Sequence, residues 1–252
     1  MKGYIKALRL PIVVMAGLLA ITAFRVSAWS TDAYLVALFI VIVASATMAH
    51  NDWRDKEHDA RKGKTFALNH SKSFRAMVIL LWFASLIGAI GLWILNPWYG
   101  ILSGLVIVSG LVYPETRRTP LLPALLVALT SASPALYANP RNDKVLAIFL
   151  VSALLIFGRE ILKDLDDCSH DVGYKWTLPL AFGRRAAKFL ASLITLVLPL
   201  VAIWVSMKTL AGAPFLLLSA SCLILNKNHC SAKTLLDIGM ATIIVVLLAS
   251  GP

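Results

Sequence analysis

The stretch from Val41 to Asp59 reads VIVASATMAHNDWRDKEHD and passes directly from an apolar run into a cluster of carboxylates. Within it, Asp52, Asp55 and Asp59 follow the pattern D-x-x-D-x-x-x-D. Because an α-helix has about 3.6 residues per turn, the spacing i, i+3, i+7 places the three carboxylates on one helical face. The stretch therefore predicts an apolar helix with an acidic stripe at one end.

The same pattern returns in the stretch from Arg159 to Asp171, REILKDLDDCSHD, where Asp164, Asp167 and Asp171 again follow an apolar run. Only 13 residues of the chain are acidic, so two identical trios favour a shared function over two solvated turns. Like charges along a stripe repel one another. Mg²⁺ relieves this repulsion, and it is typically held by one or two carboxylates together with substrate phosphates.

Composition places these stripes beside a membrane. The chain is 59% hydrophobic, and its mean hydropathy is +0.78. Apolar runs of about twenty residues, the length that crosses a bilayer, recur along the chain. We predict an all-α, multi-pass membrane bundle of nine transmembrane helices, forming a single domain over 1–252. The predicted helices are 8–27, 31–50, 74–95, 98–114, 120–138, 144–163, 186–205, 209–225 and 233–250.

The distribution of basic residues predicts the orientation of this bundle. With the N-terminus inside and the helices alternating, one side receives 20 of the 24 Lys and Arg residues. The positive-inside rule assigns that side to the cytoplasm. Both acidic motifs then lie in two long cytoplasmic Asp-rich loops, 51–73 and 164–185, of a protein in the cell membrane. The net charge of +11 lies along a membrane face, so anionic lipids rather than nucleic acid are the expected partners.

A metal and diphosphate site at the rim of an apolar bundle suits a substrate with a long apolar tail and a diphosphate head. The head would lie among the carboxylates and basic residues, and the tail between the helices. Mg²⁺ would stabilise the departing diphosphate while apolar walls exclude water from the allylic cation. We therefore expect an active site that faces the cytoplasm and takes prenyl diphosphate and a lipophilic acceptor as substrates.

At these residues the chain resembles the UbiA superfamily of intramembrane prenyltransferases. Asn51 to Asp59 resembles its N-D-x-x-D-x-x-x-D motif, and Asp164 to Asp171 its second acidic motif. The resemblance implies catalysis by Asp52, Asp55, Asp164, Asp167 and Tyr113. It implies Mg²⁺ binding by Asp52, Asp55, Asp59, Asp164, Asp167 and Asp171. Substrate binding is implied for, or fits, Asn51, Arg9, Arg117, Lys163 and Lys175.

Residues 159–167 are most similar to the branch that makes the second ether bond of archaeal-type lipids, the geranylgeranylglyceryl phosphate geranylgeranyltransferases. The chain departs from that branch at Pro123 and Ala124, where a Gly-Asn pair is expected. It departs again at Trp176, in place of a basic residue, and after Asp59, where Arg-Pro pairs are missing. These departures leave the diphosphate machinery intact and concern the acceptor.

Several alternatives remain open at the level of sequence. The acceptor is a glycerol-phosphate lipid hydroxyl or an aromatic ring, as in quinone synthesis. A terpene cyclase would keep the site and let the cation react internally. A cation transporter would need ionisable residues at mid-membrane, and the predicted helices have almost none. The histidines, including His58 and His170, are expected to face solvent in loops.

Overall fold

The computed structural model describes residues 2–225 and 229–249, which form helices and contain no strand. This confirms the predicted all-α class. The α-helices are α1 (Lys2–Ala7), α2 (Leu10–Ser27), α3 (Asp32–Arg54), α4 (Lys56–Arg61), α5 (Phe66–Asn69), α6 (Ser71–Leu95), α7 (Pro97–Val112), α8 (Leu122–Ala132), α9 (Asp143–Asp171), α10 (Leu178–Phe182), α11 (Arg184–Val205), α12 (Ala213–Ile224) and α13 (His229–Ala249). Short 3₁₀ helices cover Tyr113–Arg118, Ser133–Tyr137 and Met207–Gly212.

Within the described residues, eight helical segments are long and apolar enough to cross a membrane. They are Leu10–Ser27, Asp32–Arg54, Ser71–Leu95, Pro97–Arg118, Asp143–Asp171, Arg184–Val205, Met207–Ile224 and Cys230–Ala249. The helix predicted at 120–138 corresponds to a shorter apolar segment, Leu122–Tyr137. Pro134 has no N–H to donate, and α8 gives way to a 3₁₀ turn there. The count of nine spans stays a prediction.

The surface of α6 indicates a lipid environment. Ile79, Leu80, Phe83, Ile87 and Ile94 are each more than half exposed on this helix. Soluble monomers rarely expose an apolar patch of this extent. Lipid tails solvate such a surface at no hydrophobic cost, so the chain is an integral membrane protein.

The first predicted helix, 8–27, begins two residues later in the structure, at Leu10, directly after Arg9. This residue has left-handed backbone angles, φ 50° and ψ 46°, and it separates α1 from α2. A non-glycine residue in this region is strained by the approach of Cβ to the backbone. The turn directs Arg9 toward the end of α3, where its guanidinium meets Asp52.

Both acidic motifs are helical, so the predicted Asp-rich loops are corrected. The second motif occupies the last two turns of α9, which runs eight residues beyond the predicted end at 163. The first spans the end of α3, a junction at Asp55, and α4. Carboxylates near a helix C-terminus oppose the macrodipole. The basic side chain of Lys62, which follows α4, lies beside Asp167 and Asp171 and offsets their negative charge, so α9 continues through the motif.

The central helix of the bundle is α9. Its residues Ile161, Leu162 and Leu165 are fully buried in a cluster that includes Leu198 of α11 and Leu236 of α13. A second cluster joins α2, α3, α6 and α7 around the buried Phe24. Two cavities lie between these halves, and carboxylates of both acidic motifs line one of them.

Candidate active site

The backbone of the first motif keeps its helical hydrogen bonds across the junction between α3 and α4. The Asp55 N–H donates to the Asn51 carbonyl at 2.9 Å, and the Asp59 N–H donates to the Asp55 carbonyl at 2.7 Å. Asn51, Asp55 and Asp59 therefore remain on one side of the chain. All three line the same cavity.

Asp55 is the most heavily contacted carboxylate of this motif, with an exposed fraction of only 3%. The Tyr174 hydroxyl donates to its Oδ1 at 2.7 Å, and the Arg117 guanidinium lies 2.5 Å from the same oxygen. Lys175 Nζ is 3.6 Å from Oδ2, and the Asn51 amide donates to Oδ2 at 3.3 Å. The first motif is thereby fixed to the 3₁₀ helix after α7 and to the connection after α9.

The outer members of the first motif each have one basic partner. Arg9 donates to Asp52 Oδ1 at 2.7 Å, and Lys64 Nζ lies 3.7 Å from Asp59 Oδ1. Asp52 does not line the cavity, whereas Arg9 does. Asp52 is therefore connected to the cavity wall through Arg9.

The second motif is bound from the opposite direction. Asp171 is 1% exposed, and its Oδ1 lies 3.2 Å from Lys62 Nζ and 3.3 Å from His58 Nε2. Asp167 Oδ2 lies 3.6 Å from the same Lys62 Nζ. His58 lies within the first motif and Lys62 follows it, so the second motif is held by the segment after α3.

Tyr174 and His58 form the centre of this arrangement. Their rings stack with centroids 4.0 Å apart and planes at 10°. The Arg117 Nη1 donates to the Tyr174 hydroxyl at 2.7 Å. Burial raises the pKa of Tyr174 to about 12, and its hydrogen bond to Asp55 adds to the rise. His58 is 6% exposed, so the prediction that it faces solvent is wrong; His170 is exposed as predicted.

A charged network in α9 and α13 was not identified from the sequence. Glu160 is buried and accepts hydrogen bonds from Lys163 and from Arg159 Nη1, the latter at 3.0 Å. Arg159 Nε donates to Asp237 Oδ1 at 2.7 Å. The signal was available: three charged residues at 159, 160 and 163 interrupt an apolar helix, and such residues are retained for function or pairing. Lys163, a predicted phosphate partner, is held by Glu160.

Eight of the predicted site residues line one cavity of about 120 Å³, which we call the polar chamber. They are Arg9, Asn51, Asp55, Asp59, Tyr113, Lys163, Asp167 and Lys175. Three basic side chains that were not predicted, Lys62, Lys64 and Arg159, line it as well. The chamber thus brings together eight of the twelve predicted site residues and three additional positive charges.

An apolar cavity of about 280 Å³ adjoins the polar chamber. The two share the side chains of Ile12, Thr47, Met48, Arg159 and Glu160 among their walls. Apart from these, residues such as Met15 and Val106 of the bundle interior surround the apolar cavity. A ligand with a charged head and an apolar tail can occupy both spaces at once.

A smaller cavity of about 30 Å³, the alcove, adjoins the chamber beyond Tyr113 and Lys163. Two further predicted residues, Arg117 and Asp164, line it together with Thr177. The last two, Asp52 and Asp171, line neither space. Pro123, Ala124 and Trp176, where the chain departs from the ether-lipid branch, line it too. Arg117 Nε and Thr177 Oγ1 are buried and have no hydrogen-bond partner among the described residues. These atoms are free to bind a ligand.

The side-chain oxygen atoms at the chamber wall can bind a hard divalent cation only together with oxygen atoms from a ligand. Within 2–225 and 229–249, no three carboxylate, imidazole or thiolate side chains are grouped as a self-sufficient metal site. The buried Asn51 Oδ1, which has no described partner, is an available oxygen ligand beside Asp55 and Asp59. An oxygen-preferring cation would complete its shell with ligand oxygens and water.

Fold and site together define a helical integral membrane protein with a charged chamber opening onto an apolar cavity. Residues 10–233 match the model of the UbiA prenyltransferase family. The chain therefore belongs to this family, which confirms the resemblance noted from its acidic motifs.

One curated relative is the digeranylgeranylglyceryl phosphate synthase of Methanosarcina mazei, 31% identical over 174 residues. The match covers 64% of this chain and 59% of the length of that relative. An apo UbiA homologue from Aeropyrum pernix K1 superposes with a TM-score of 0.74 at 18% identity, covering 94% of this chain and 95% of that one. A homologue from Archaeoglobus fulgidus bound to GPP and Mg²⁺ has a TM-score of 0.71 at 17% identity, with 98% of both chains covered. These structures establish the shared fold.

Proposed function

We propose that this chain is a Mg²⁺-dependent intramembrane prenyltransferase. It moves a prenyl group from a prenyl diphosphate to a lipophilic acceptor. The observation that carries the proposal is the direct junction of the polar chamber with the apolar cavity. A diphosphate head fits the first space and an isoprenoid tail the second.

The charge of the chamber supports a polyanionic ligand. Six basic and four acidic side chains line it, so the walls have a net positive charge before any metal binds. Lys163 and Lys175 lie on the side of Tyr113, and Arg9 lies at the start of α2. Charge-assisted hydrogen bonds from such groups to phosphate oxygens are among the strongest available to a protein.

Mg²⁺ would be held by Asn51, Asp55 and Asp59 at the chamber wall, with phosphate oxygens completing its shell. Asp167 lines the same chamber beside Lys62. When bound, it supplies Lewis-acid stabilisation of the leaving diphosphate. The relative from Archaeoglobus fulgidus, with GPP and Mg²⁺ bound, supports this choice of cation. Asp52 would hold Arg9 in place, and Asp164 would act from the alcove.

In the reaction, the bond between prenyl C1 and the bridging diphosphate oxygen breaks, and that oxygen keeps the electron pair. Arg9, Lys163 and Lys175 offset the charge that develops there. The apolar cavity excludes water from the allylic cation, with the ring of Tyr113 at the border between chamber and alcove. An acceptor hydroxyl oxygen then bonds to C1 and releases its proton to a diphosphate oxygen.

For the acceptor we propose a glycerol-phosphate ether lipid and, for the donor, geranylgeranyl diphosphate. The name of the Methanosarcina relative supports both choices. The alcove is positioned to distinguish acceptors, because the departures from the ether-lipid branch gather there. We further propose a single domain over 1–252, nine membrane spans with a cytoplasmic N-terminus, and a chamber facing the cytoplasm.

The test is to incubate purified protein with labelled geranylgeranyl diphosphate, Mg²⁺ and each acceptor class, and to identify the product by mass spectrometry. We expect an ether product with the glycerol-phosphate lipid. We expect Asp167→Asn to reduce it strongly, whereas Asp166→Asn serves as the matched control, since Asp166 faces Lys233 outside the chamber. A cyclised product without acceptor would identify a cyclase, and no turnover with any acceptor would refute the proposal.

A further inference from the structure

Lys62 lies beside the last two carboxylates of the second motif, Asp167 and Asp171. Its Nζ is 3.2 Å from Asp171 Oδ1 and 3.6 Å from Asp167 Oδ2. We propose that Lys62 is the built-in cation of this motif, taking the place of a second metal ion between α9 and the diphosphate. The inference rests on the proposed function and specifies how many divalent ions the site requires.

The backbone around Lys62 fixes this position. Lys62 directly follows α4, and its N–H donates to the Asp59 carbonyl at 3.0 Å. Gly63 follows with φ 79°, a left-handed conformation that favours glycine and turns the chain away. The lysine stem is thereby directed across to α9, and its side chain is only 11% exposed. An ammonium on a mobile surface side chain would not meet these conditions.

Asp171 is already satisfied by protein groups. Its Oδ1 has both Lys62 Nζ and His58 Nε2 within hydrogen-bond distance, and the residue is 1% exposed. Asp171 does not line the polar chamber, whereas Lys62 does. The ammonium therefore separates this carboxylate from any ligand in the chamber.

An ammonium has three N–H donors, so Lys62 can serve Asp171 and Asp167 and still offer one to a phosphate oxygen. Joining a carboxylate pair to a phosphate is the role a divalent ion would otherwise perform there. A second divalent ion beside Asp167 and Asp171 would be repelled by the ammonium at close range. The divalent ion consequently binds on the side of Asn51 and Asp59 alone.

The experiment counts divalent ions bound by the full chain in detergent, using Mn²⁺ with inorganic diphosphate and electron paramagnetic resonance. We expect one ion per chain for the wild type and two for Lys62→Met, with at least a tenfold gain in affinity for the second. Lys62→Arg keeps the charge and is expected to bind one. Lys56→Met is the matched control on α4, because Lys56 bonds Ser71 outside the chamber, and it is expected to bind one as well.

Two ions in the wild type, or one in a folded Lys62→Met, would overturn the inference while leaving the proposed function intact. No bound ion in any protein would overturn the proposed function and the inference with it. Should Lys62→Met fail to fold, the wild-type count and the Lys62→Arg count still decide. None of these outcomes depends on turnover.

Discussion

The hydroxyl of Tyr174 links the two acidic connections, and its removal tests the proposed site most directly. Tyr174→Phe retains the ring that stacks on His58 and deletes one oxygen. That oxygen donates to Asp55 at 2.7 Å and accepts from Arg117 at 2.7 Å. The change therefore loosens two charged residues without altering the charge of the chamber.

Hydrogen bonds to charged groups contribute about 1.5–3 kcal/mol each. Two are lost here, but Arg117 keeps its direct contact with Asp55 at 2.5 Å, and water can reach the half-buried position. We therefore expect a net loss of about 2 kcal/mol. If it falls on the transition state, it corresponds to roughly a 30-fold decrease in kcat/KM for the prenyl diphosphate.

The assay is steady-state transfer with labelled donor at saturating acceptor and Mg²⁺. Tyr4→Phe provides a control, because Tyr4 bonds Ser73 in an exposed hydrogen bond outside the chamber. It is expected to lose less than twofold. A Tyr174→Phe enzyme within twofold of the wild type would refute the view that this hydroxyl organises Asp55 and Arg117.

Three further predictions concern the walls of the site. Glu160→Gln leaves Arg159 and Lys163 without a buried carboxylate, and we expect a stability loss of about 3 kcal/mol; an unchanged unfolding temperature in detergent would contradict this. Ser152 borders both the apolar cavity and a small void beyond it, so Ser152→Leu should lower kcat/KM for a C20 donor relative to a C10 donor at least tenfold. Burial raises the pKa of Tyr174 to about 12, whereas an exposed tyrosine titrates near 10. The contribution of its hydroxyl to the free energy of unfolding is therefore complete below pH 10 and is lost as the pH rises through 12. The unfolding temperature of Tyr174→Phe should lack this alkaline loss.

The acidic motifs predicted candidate site residues and the apolar runs predicted membrane helices, because both are patterns within short stretches of sequence. Asp55 and Asp59 line one chamber although the helix is interrupted at Asp55, whereas Asp52, predicted on the same face, does not line it. The length and composition of the apolar runs fix the membrane helices. The end of α9 was misplaced for a physical reason: a charged stretch favours a loop unless distant cations neutralise it, and Lys62 does so here.

Contacts between distant segments could not be predicted. His58 appears in the sequence as one charged-loop residue among several, yet it is buried by stacking on Tyr174, 116 positions away. Thr177 likewise has no distinguishing local pattern, although its hydroxyl is one of the unpaired groups of the alcove. The contacts of His58 and Thr177 depend on how the segments after α3 and after α9 pack together. No short stretch of the sequence indicates this packing.

The two connections form their ion pairs reciprocally, and this explains how so many carboxylates are tolerated at the rim of an apolar bundle. Asp55, from the first connection, binds Tyr174 and Lys175 of the second, while Asp171, from the second, binds Lys62 of the first. The ion pairs of Asp55 with Lys175 and of Asp171 with Lys62 form only when both connections are in place. A buried carboxylate without its partner costs several kcal/mol, so the two segments must order together. Removing charge from either connection is therefore expected to disturb the ligand-binding geometry of the other.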